Sequence, residues 1–176
     1  MILVGDHLGW AVYGPEGLES PYRYGLGRRL ELDLFSQAKR RVAFCMLNPS
    51  TATHDTDDPT IRRCIGFARA WDFDALEVGN LFAYRATNPS ALRHQPDPVG
   101  PENDGAMVEM AKRCAFVVCA WGAYGELNGR GATVLELLRR AGAGLRALSF
   151  TRGGQPSHPL YLRADLEPIP WEGRAA

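Results

Sequence analysis

The sequence predicts an α/β fold built on a mostly parallel four-stranded core sheet, with a small antiparallel addition at the N-terminus. Two observations predict this class. Four short apolar runs alternate along the chain with three segments of helical periodicity. The apolar runs are also nearly continuous rather than alternating with polar residues, which is typical of strands buried on both faces of a parallel sheet.

The four predicted core strands are rich in β-branched or aromatic residues, and polar or turn residues end each of them. They are RVAFCML (41–47), ALEVGNLF (75–82), AFVVCAW (115–121) and LRALSF (145–150).

Each predicted helix carries apolar residues at the i, i+3, i+4, i+7 spacing of one face. In the first helix, Asp58 can cap the N-terminus and Pro59 can occupy the first turn. The apolar faces are Ile61, Cys64, Ile65 and Ala68, then Met107, Met110, Ala111 and Cys114, then Val134, Leu137, Leu138 and Ala141. Helices between parallel strands predict right-handed crossovers.

The first 40 residues show a different pattern. WAVYG (10–14), YRYGL (22–26) and RLELDL (29–34) are separated by Gly and Pro turns and predict antiparallel strands at the sheet edge. We therefore expect one domain over 1–176, with the addition at 1–40, the α/β core at 41–163 and a C-terminal tail at 164–176. The final EGRAA is expected to fray.

Composition limits the possible functions. The chain has 45% hydrophobic residues and a formal net charge of zero, which argues against binding nucleic acid through bulk positive charge alone. It contains no signal-like or membrane-spanning run, so we expect a cytoplasmic protein without a membrane partner. Four cysteines without a C-x-x-C pair predict buried, reduced thiols rather than a metal site.

Polar residues follow the predicted strands where ligands gather in open α/β sheets, outside the carboxyl ends. Asn48 follows the first strand, Asn80 ends the second, Trp121 ends the third and His158 follows the fourth. The set has no Cys-His pair and no carboxylate pair. It is therefore suited to binding a planar, hydrogen-bonding ligand rather than to acyl transfer.

Structural roles remain open for each of these residues. Asn48 can belong to a simple Asn-Pro turn, Asn80 can make a structural hydrogen bond, and His158 can cap or pack. Asp55, Asp57 and Asp58 can hold a divalent cation, or they can form a solvated loop with one helix cap.

Six motifs in order resemble a bacterial family known as domain of unknown function 1643, over about residues 22–163. They are MLNPSTA, DPTIRRC, NLFAYRAT, PEND, AWGAYG and HPLYL. This resemblance brings no established activity with it.

A more distant resemblance is to the uracil-DNA glycosylase superfamily, over about residues 41–163. It rests on Asn48-Pro49, on Asn80 within NLFAYRAT, on CAWG at 119–122 and on His158-Pro159. The resemblance implies a three-layer α/β/α fold, no cofactor, and a nucleic acid (DNA) or nucleotide partner.

The same resemblance implies residue roles. Asn80 would bind the base edge, His158 would donate a hydrogen bond to the departing carbonyl oxygen, and Asn48 would position the attacking water. The candidates for base stacking or binding are Phe82, Tyr84 and Trp121, and those for contacts to the nucleic-acid backbone are Arg62, Arg63, Arg85 and Arg152. One departure matters: an amide at position 48 cannot act as a general base.

Three hypotheses follow. The leading one is a nucleobase-recognising protein that hydrolyses an N-glycosidic bond in DNA or a related nucleoside. The second is a non-catalytic module that binds nucleic acid or a nucleotide in the same pocket. The third is a metal-dependent hydrolase built on Asp55, Asp57 and Asp58.

Overall fold

The computed structural model describes residues 1–30 and 40–173, and eight strands and three α-helices lie within these ranges. The strands are β1 (Ile2–Gly5), β2 (Gly9–Tyr13), β3 (Arg23–Arg29), β4 (Arg41–Met46), β5 (Ala75–Asn80), β6 (Val117–Cys119), β7 (Leu145–Ala147) and β8 (Ile169–Pro170). The helices are α1 (Pro59–Ala70), α2 (Asn103–Arg113) and α3 (Arg130–Arg140).

All eight strands form one sheet in the order β1-β2-β3-β5-β4-β6-β7-β8. Strands β5, β4, β6 and β7 pair in parallel, whereas β1, β2, β3 and β5 pair antiparallel, as do β7 and β8. The α/β class is confirmed. The description as a mostly parallel four-stranded sheet needs correction, because the N-terminal strands extend the same sheet beside β5 and make it mixed.

Helix α1 begins where the sequence predicts. The Asp58 side chain accepts a hydrogen bond from the Ile61 N–H at 2.8 Å, and Pro59 occupies the first turn, where its missing N–H leaves no donor unsatisfied. The buried face contains Ile61, Cys64 and Phe67. Burying these side chains stabilises the helix against the sheet by roughly 1.5–3 kcal/mol for each large residue.

Strand β4 lies in the middle of the molecule and divides the core into two clusters. Its residues Phe44 and Met46 pack in a cluster with the buried side chains of α1. The alternate residues Ala43 and Cys45 belong to a second cluster with buried side chains of α2 and α3. Because strand side chains alternate between faces, α1 covers one face of the sheet, and α2 and α3 cover the other.

The N-terminal strands follow the predicted antiparallel pattern, with Ala11 opposite Leu26 between β2 and β3, and Leu26 opposite Val78 between β3 and β5. Gly27 has a steric role, since a Cβ at this position would overlap the Trp10 ring. The predicted RLELDL strand overlaps the end of β3 at Arg29, and its residues 31–34 lie outside the described residues.

A charged side chain lies within the sheet. Glu77 of β5 is 1% exposed and forms ion pairs with Arg41 at 3.0 Å and with Arg113 at 2.8 Å. Both guanidinium groups lie near the surface, so two partly solvated cations neutralise one buried carboxylate. This satisfies the rule that buried charges are paired.

The C-terminal segment returns to the sheet, which no sequence pattern predicts. Ile169 pairs antiparallel with Ala147, and the Trp171 N–H donates to the Leu145 carbonyl oxygen at 3.0 Å. The Trp171 ring is buried against Trp121, with ring centroids 5.6 Å apart. Residues 174–176 of the expected frayed end lie outside the described part of the chain. Among the described helices, none is long and apolar enough to cross a membrane.

Candidate functional site

A cavity of about 600 Å³ opens at the carboxyl ends of the parallel strands. Asn48, Asn80, Trp121 and His158, the four residues predicted from the ends of successive strands, all line it. The reason is topological, because parallel strands present their carboxyl ends at the same edge of the sheet. The volume falls within the range of roughly 300–1,000 Å³ that is typical of small-molecule sites.

Asn48 follows β4, and its amide group connects two of the sequence motifs. Its Nδ2 donates to the Pro49 carbonyl oxygen at 3.0 Å and to the Ala86 carbonyl oxygen at 2.7 Å. The Ala86 N–H in turn donates to the Pro49 carbonyl oxygen at 2.9 Å. Both amide protons are thus used by the protein, and Oδ1 is the Asn48 atom available to accept a hydrogen bond from a ligand or a water.

Asn80 ends β5 and is 2% exposed. Its Oδ1 is buried and has no hydrogen-bond partner among the residues that the structure describes. A buried amide without partners costs about 1–3 kcal/mol. An atom of this kind in the wall of a cavity is suited to a ligand that brings a donor.

Two side chains from other elements hold the backbone beside Asn80. The Asn103 Nδ2 donates to the carbonyl oxygens of Asn80 and Leu81, both at 3.0 Å. The Arg130 Nε donates to the same Leu81 oxygen at 2.8 Å, and the Arg130 guanidinium also pairs with Asp104. The N-termini of α2 and α3 therefore fix the end of β5. Neither residue is among the site residues predicted from the sequence. The PEND motif contains Asn103, and Asp104 of the same motif is the ion-pair partner of Arg130.

Trp121 lines the cavity, and contacts with neighbouring residues fix the position of its ring. Its Nε1 donates to the Gln155 Oε1 at 2.8 Å, and a Cβ at Gly125 would overlap its ring. Gly122 has φ 71° and ψ −168°, a backbone conformation that is essentially confined to glycine. The AWGAYG motif is thus explained by the turn after β6 and by the close approach of the backbone to the tryptophan.

His158 precedes a 3-10 turn at Pro159–Tyr161, and its Nδ1 accepts a hydrogen bond from the Leu160 N–H at 3.4 Å. The acceptor role of Nδ1 assigns the proton of the neutral imidazole to Nε2. Burial lowers the pKa of His158 below 6.5, and the nearby Asp58 carboxylate opposes this shift. At neutral pH the ring is therefore uncharged, with a donating Nε2–H.

Arg23 of β3 also lines the cavity and comes from the N-terminal strands, outside the predicted α/β core. Its Nη1 donates to the Ala52 carbonyl oxygen. The YRYGL pattern predicts a strand at the sheet edge, where a charged side chain is usually solvated. Only the antiparallel pairing of β3 with β5 brings this arginine beside the ends of the parallel strands.

The two other base-binding candidates lie outside the cavity lining. Phe82 is 0% exposed and packs in the core cluster with Leu47 and Met107, so its ring has no free face for stacking. Tyr84 contacts Tyr22 edge-on, with ring centroids 6.2 Å apart.

The predicted backbone-binding arginines also lie away from the cavity lining. Arg62 donates to the Asp57 carbonyl oxygen at 2.5 Å, and Arg63 donates to that of Leu162. Arg85 donates to the Leu18 and Ser20 carbonyl oxygens at 2.7 and 3.0 Å. Arg152 is exposed. Three of the four thus tie segments of the protein together.

The three aspartates of the 55–58 loop have separate partners. Asp55 accepts hydrogen bonds from the hydroxyls of Thr53 and Thr56, Asp57 pairs with Arg28 at 2.8 Å, and Asp58 caps α1. In the described ranges, no group of three or more His, Cys, Asp or Glu side chains is placed to hold a metal ion. The arrangement gives the metal-dependent hydrolase hypothesis no ligand cluster in this part of the chain.

The cysteines are all free thiols. Cys45, Cys64 and Cys119 are buried, and Cys114 is half-buried. Burial raises the pKa of all four, that of Cys114 to about 12. They are protonated at neutral pH and pack as small apolar side chains.

One family model matches the chain, over residues 23–160, and its description is protein of unknown function (DUF1643). No curated protein and no solved structure matches the chain.

Proposed function

Since this chain belongs to the DUF1643 family of proteins of unknown function, we propose its function from the site alone: the cavity recognises a nucleobase and hydrolyses the N-glycosidic bond of a nucleotide in DNA or of a related nucleoside. The observation that carries this proposal is the convergence of Asn48, Asn80 and His158 on one cavity walled by Trp121. Asn48 offers an acceptor, Asn80 an amide and His158 a neutral donor, and Trp121 adds apolar lining.

We infer also that the core is related to that of the uracil-DNA glycosylase superfamily. The parallel pairing of β5, β4, β6 and β7 supports this, together with the position of Asn48-Pro49, Asn80, Trp121-Gly122 and His158-Pro159 at the ends of these strands. Fold resemblance does not establish an activity, so the chemistry is argued from the side chains.

Recognition of the base is assigned to Asn80. An amide presents a donor and an acceptor side by side, which matches the paired donor and acceptor on a base edge. Because the Oδ1 of Asn80 is buried without a partner, a ligand that supplies a donor gains a hydrogen bond that the protein alone does not make. Trp121 is 2% exposed and adds to the apolar lining of the cavity.

Stabilisation of the leaving base is assigned to His158. When the N-glycosidic bond breaks, its electron pair moves to the base, and negative charge develops on a carbonyl oxygen. The neutral imidazole with its proton on Nε2 can donate a hydrogen bond to that oxygen, and its fixed position avoids reorganisation during the reaction. Anchoring of Nδ1 by the Leu160 N–H fixes the donor.

Positioning of water is assigned to Asn48. Its amide protons are held by Pro49 and Ala86, which leaves Oδ1 to accept a hydrogen bond from a water that attacks the sugar carbon. Asn48 cannot take the proton of that water, which passes instead to the departing base or to solvent. Hydrolysis is therefore expected to be slow, or to need a base that leaves easily.

The test is base release from oligonucleotides, nucleosides and nucleoside 5′-monophosphates carrying deaminated and oxidised bases, with the oligonucleotides both single- and double-stranded. We expect release by the native protein and loss of release in Asn48→Ala and His158→Ala. Asn88→Ala and His94→Ala, which change residues of the same types outside the cavity lining, should retain it. Absence of release from every substrate would refute the proposed reaction.

A second candidate function is a non-catalytic module that binds a nucleotide or nucleic acid in the same cavity. The observation that favours it is Asn48 itself, an amide already engaged with two backbone carbonyl oxygens. This hypothesis predicts binding without turnover, with an affinity that Asn48→Ala leaves unchanged and Asn80→Ala weakens. The same substrate panel, measured for binding as well as for release, separates the two functions.

A further inference from the structure

Arg23 differs from the other buried arginines of the described ranges in what neutralises it. Three arginines are buried there: Arg23, Arg28 and Arg130. Arg28 pairs with Asp57, and Arg130 pairs with Asp104. Arg23 is 3% exposed and forms no ion pair with a carboxylate of the described residues; its Nη1 bonds only to the Ala52 carbonyl oxygen.

The Arg23 guanidinium also has unused hydrogen-bonding capacity. Its Nε is buried and has no partner among the described residues. Burial lowers the pKa of Arg23 to about 10, so the group still carries its charge at neutral pH. A buried charge is normally paired, and the cavity is the direction from which a counter-charge can come.

The surroundings of Arg23 offer further groups that suit an anion. The hydroxyls of Ser50 and Thr60 line the same cavity, and Thr60 lies in the first turn of the 12-residue helix α1, whose N-terminus carries partial positive charge. Asp58 also lines the cavity. Its Oδ1 is engaged by the Ile61 N–H, and the carboxylate would repel an anion placed beside it. The Asp58 carboxylate also interacts electrostatically with Arg23 without forming an ion pair, so an anion on the guanidinium binds against the repulsion of Asp58.

We propose that Arg23 binds a phosphate monoester of the ligand. This narrows the substrate class proposed above to a free nucleotide, which the cavity binds in preference to an unphosphorylated nucleoside or the interior of a strand. A guanidinium binds phosphate oxygens through two parallel hydrogen bonds, which suits a charge with open N–H groups. Because Arg23 is almost fully buried, a phosphate that continues into a chain at both ends cannot reach it easily. The nucleobase half of this ligand rests on the function proposed above.

The test is calorimetric titration of the full chain with three ligands: a nucleoside, its 5′-monophosphate, and ribose 5-phosphate. We expect the monophosphate to bind at least ~10-fold more tightly than the nucleoside, an ordinary difference for one charge-assisted contact. Arg23→Gln should abolish this preference. The matched control is Arg139→Gln on the exposed face of α3, which should leave it unchanged.

Two further measurements keep the proposal testable if Arg23→Gln does not fold. Arg23→Lys retains the charge without the planar fork and should keep only part of the preference. In the native protein, inorganic phosphate should displace the bound monophosphate competitively. Failure of phosphate to compete would overturn the proposal without any variant.

The outcomes separate this inference from the proposed function. Equal binding of nucleoside and monophosphate would overturn the role of Arg23 and leave base recognition intact. Tight binding of ribose 5-phosphate with no dependence on the base would support Arg23 and overturn base recognition. If a single-stranded oligonucleotide bound through Arg23 more tightly than the monophosphate, the choice of a free nucleotide would be overturned. Absence of binding by all three small ligands would also overturn it.

Discussion

Replacement of Asn103 by alanine tests whether side chains at the N-termini of α2 and α3 hold the end of β5 in place. Asn103 is 0% exposed, and its Nδ2 donates to two backbone oxygens at 3.0 Å, those of Asn80 and Leu81. After the substitution Leu81 keeps its bond from Arg130 at 2.8 Å, whereas the Asn80 carbonyl oxygen loses its side-chain donor.

The magnitude follows from three contributions. Two lost hydrogen bonds cost about 1 kcal/mol each, and a carbonyl oxygen that loses its donor in the interior adds roughly 1–3 kcal/mol. The Oδ1 of Asn103 is itself buried without a partner among the described residues, so its removal returns about 1–3 kcal/mol. We expect a net loss of about 2 kcal/mol, or a drop in Tm of roughly 4–8 °C for a domain of this size.

The assay is urea unfolding followed by tryptophan fluorescence, with a matched control. Asn88→Ala removes an exposed cap, in which Oδ1 accepts from the Ser90 N–H at 3.0 Å, and should cost about 1 kcal/mol or less. Asn103→Asp retains the shape but places a carboxylate against two carbonyl oxygens, so it should destabilise more than Asn103→Ala. If the aspartate variant were the more stable of the two, the argument from donation to the β5 backbone would be refuted.

Three further predictions concern the sheet, the histidine and the tryptophan wall. Glu77→Gln should lower the free energy of unfolding by about 2–3 kcal/mol, because it removes charge-assisted hydrogen bonds from a buried site. The control is Glu136→Gln, in an exposed pair with Arg140, which should change the free energy of unfolding by under about 0.5 kcal/mol. Equal effects of the two variants in urea titrations would contradict the role of burial. The folded-state pKa of His158 is depressed, so the unfolded state binds the extra proton as pH falls below about 6.5, and stability should drop there. His158→Asn keeps an acceptor for the Leu160 N–H and should lose less stability on acidification; parallel pH curves would be the contrary result. Gly125→Ala should lower the free energy of unfolding by about 1–3 kcal/mol, because its methyl group would overlap the Trp121 ring. Gly66→Ala adds a methyl group in open space on α1 and should raise the free energy of unfolding by roughly 0.5–1 kcal/mol, measured by thermal unfolding.

The core of the fold could be predicted because local signals were strong. Asp58-Pro59 gives the start of α1 from side-chain chemistry alone, and four apolar runs give the parallel strands. The continuation of the sheet through β3 and β8 could not be predicted in the same way. It depends on which strand edges remain free after the core has formed, and a two-residue strand such as Ile169–Pro170 carries no periodicity.

The candidate site was predicted in part for a similar reason. Residues at strand ends, such as Asn48 and Asn80, could be placed together because topology brings such positions to one edge. The orientation of Phe82, two residues beyond β5, could not be predicted, because all residues from 75 to 83 are buried and the segment shows no alternation from which to assign a face. Arg23, Asn103 and Arg130 were missed because their contacts are long-range, and each acts on a segment at least 20 residues away in the chain.

The four protonated thiols described above have a practical consequence for studying this molecule. Maleimide reagents react with thiolates at accessible sites, and none of the native cysteines combines a thiolate with full exposure. A single introduced thiol should therefore take up a fluorophore selectively. Tyr161 lines the mouth of the cavity and is 85% exposed, so Tyr161→Cys would place the dye beside His158 without displacing a buried group. Ligand binding could then be followed in real time by a change in emission.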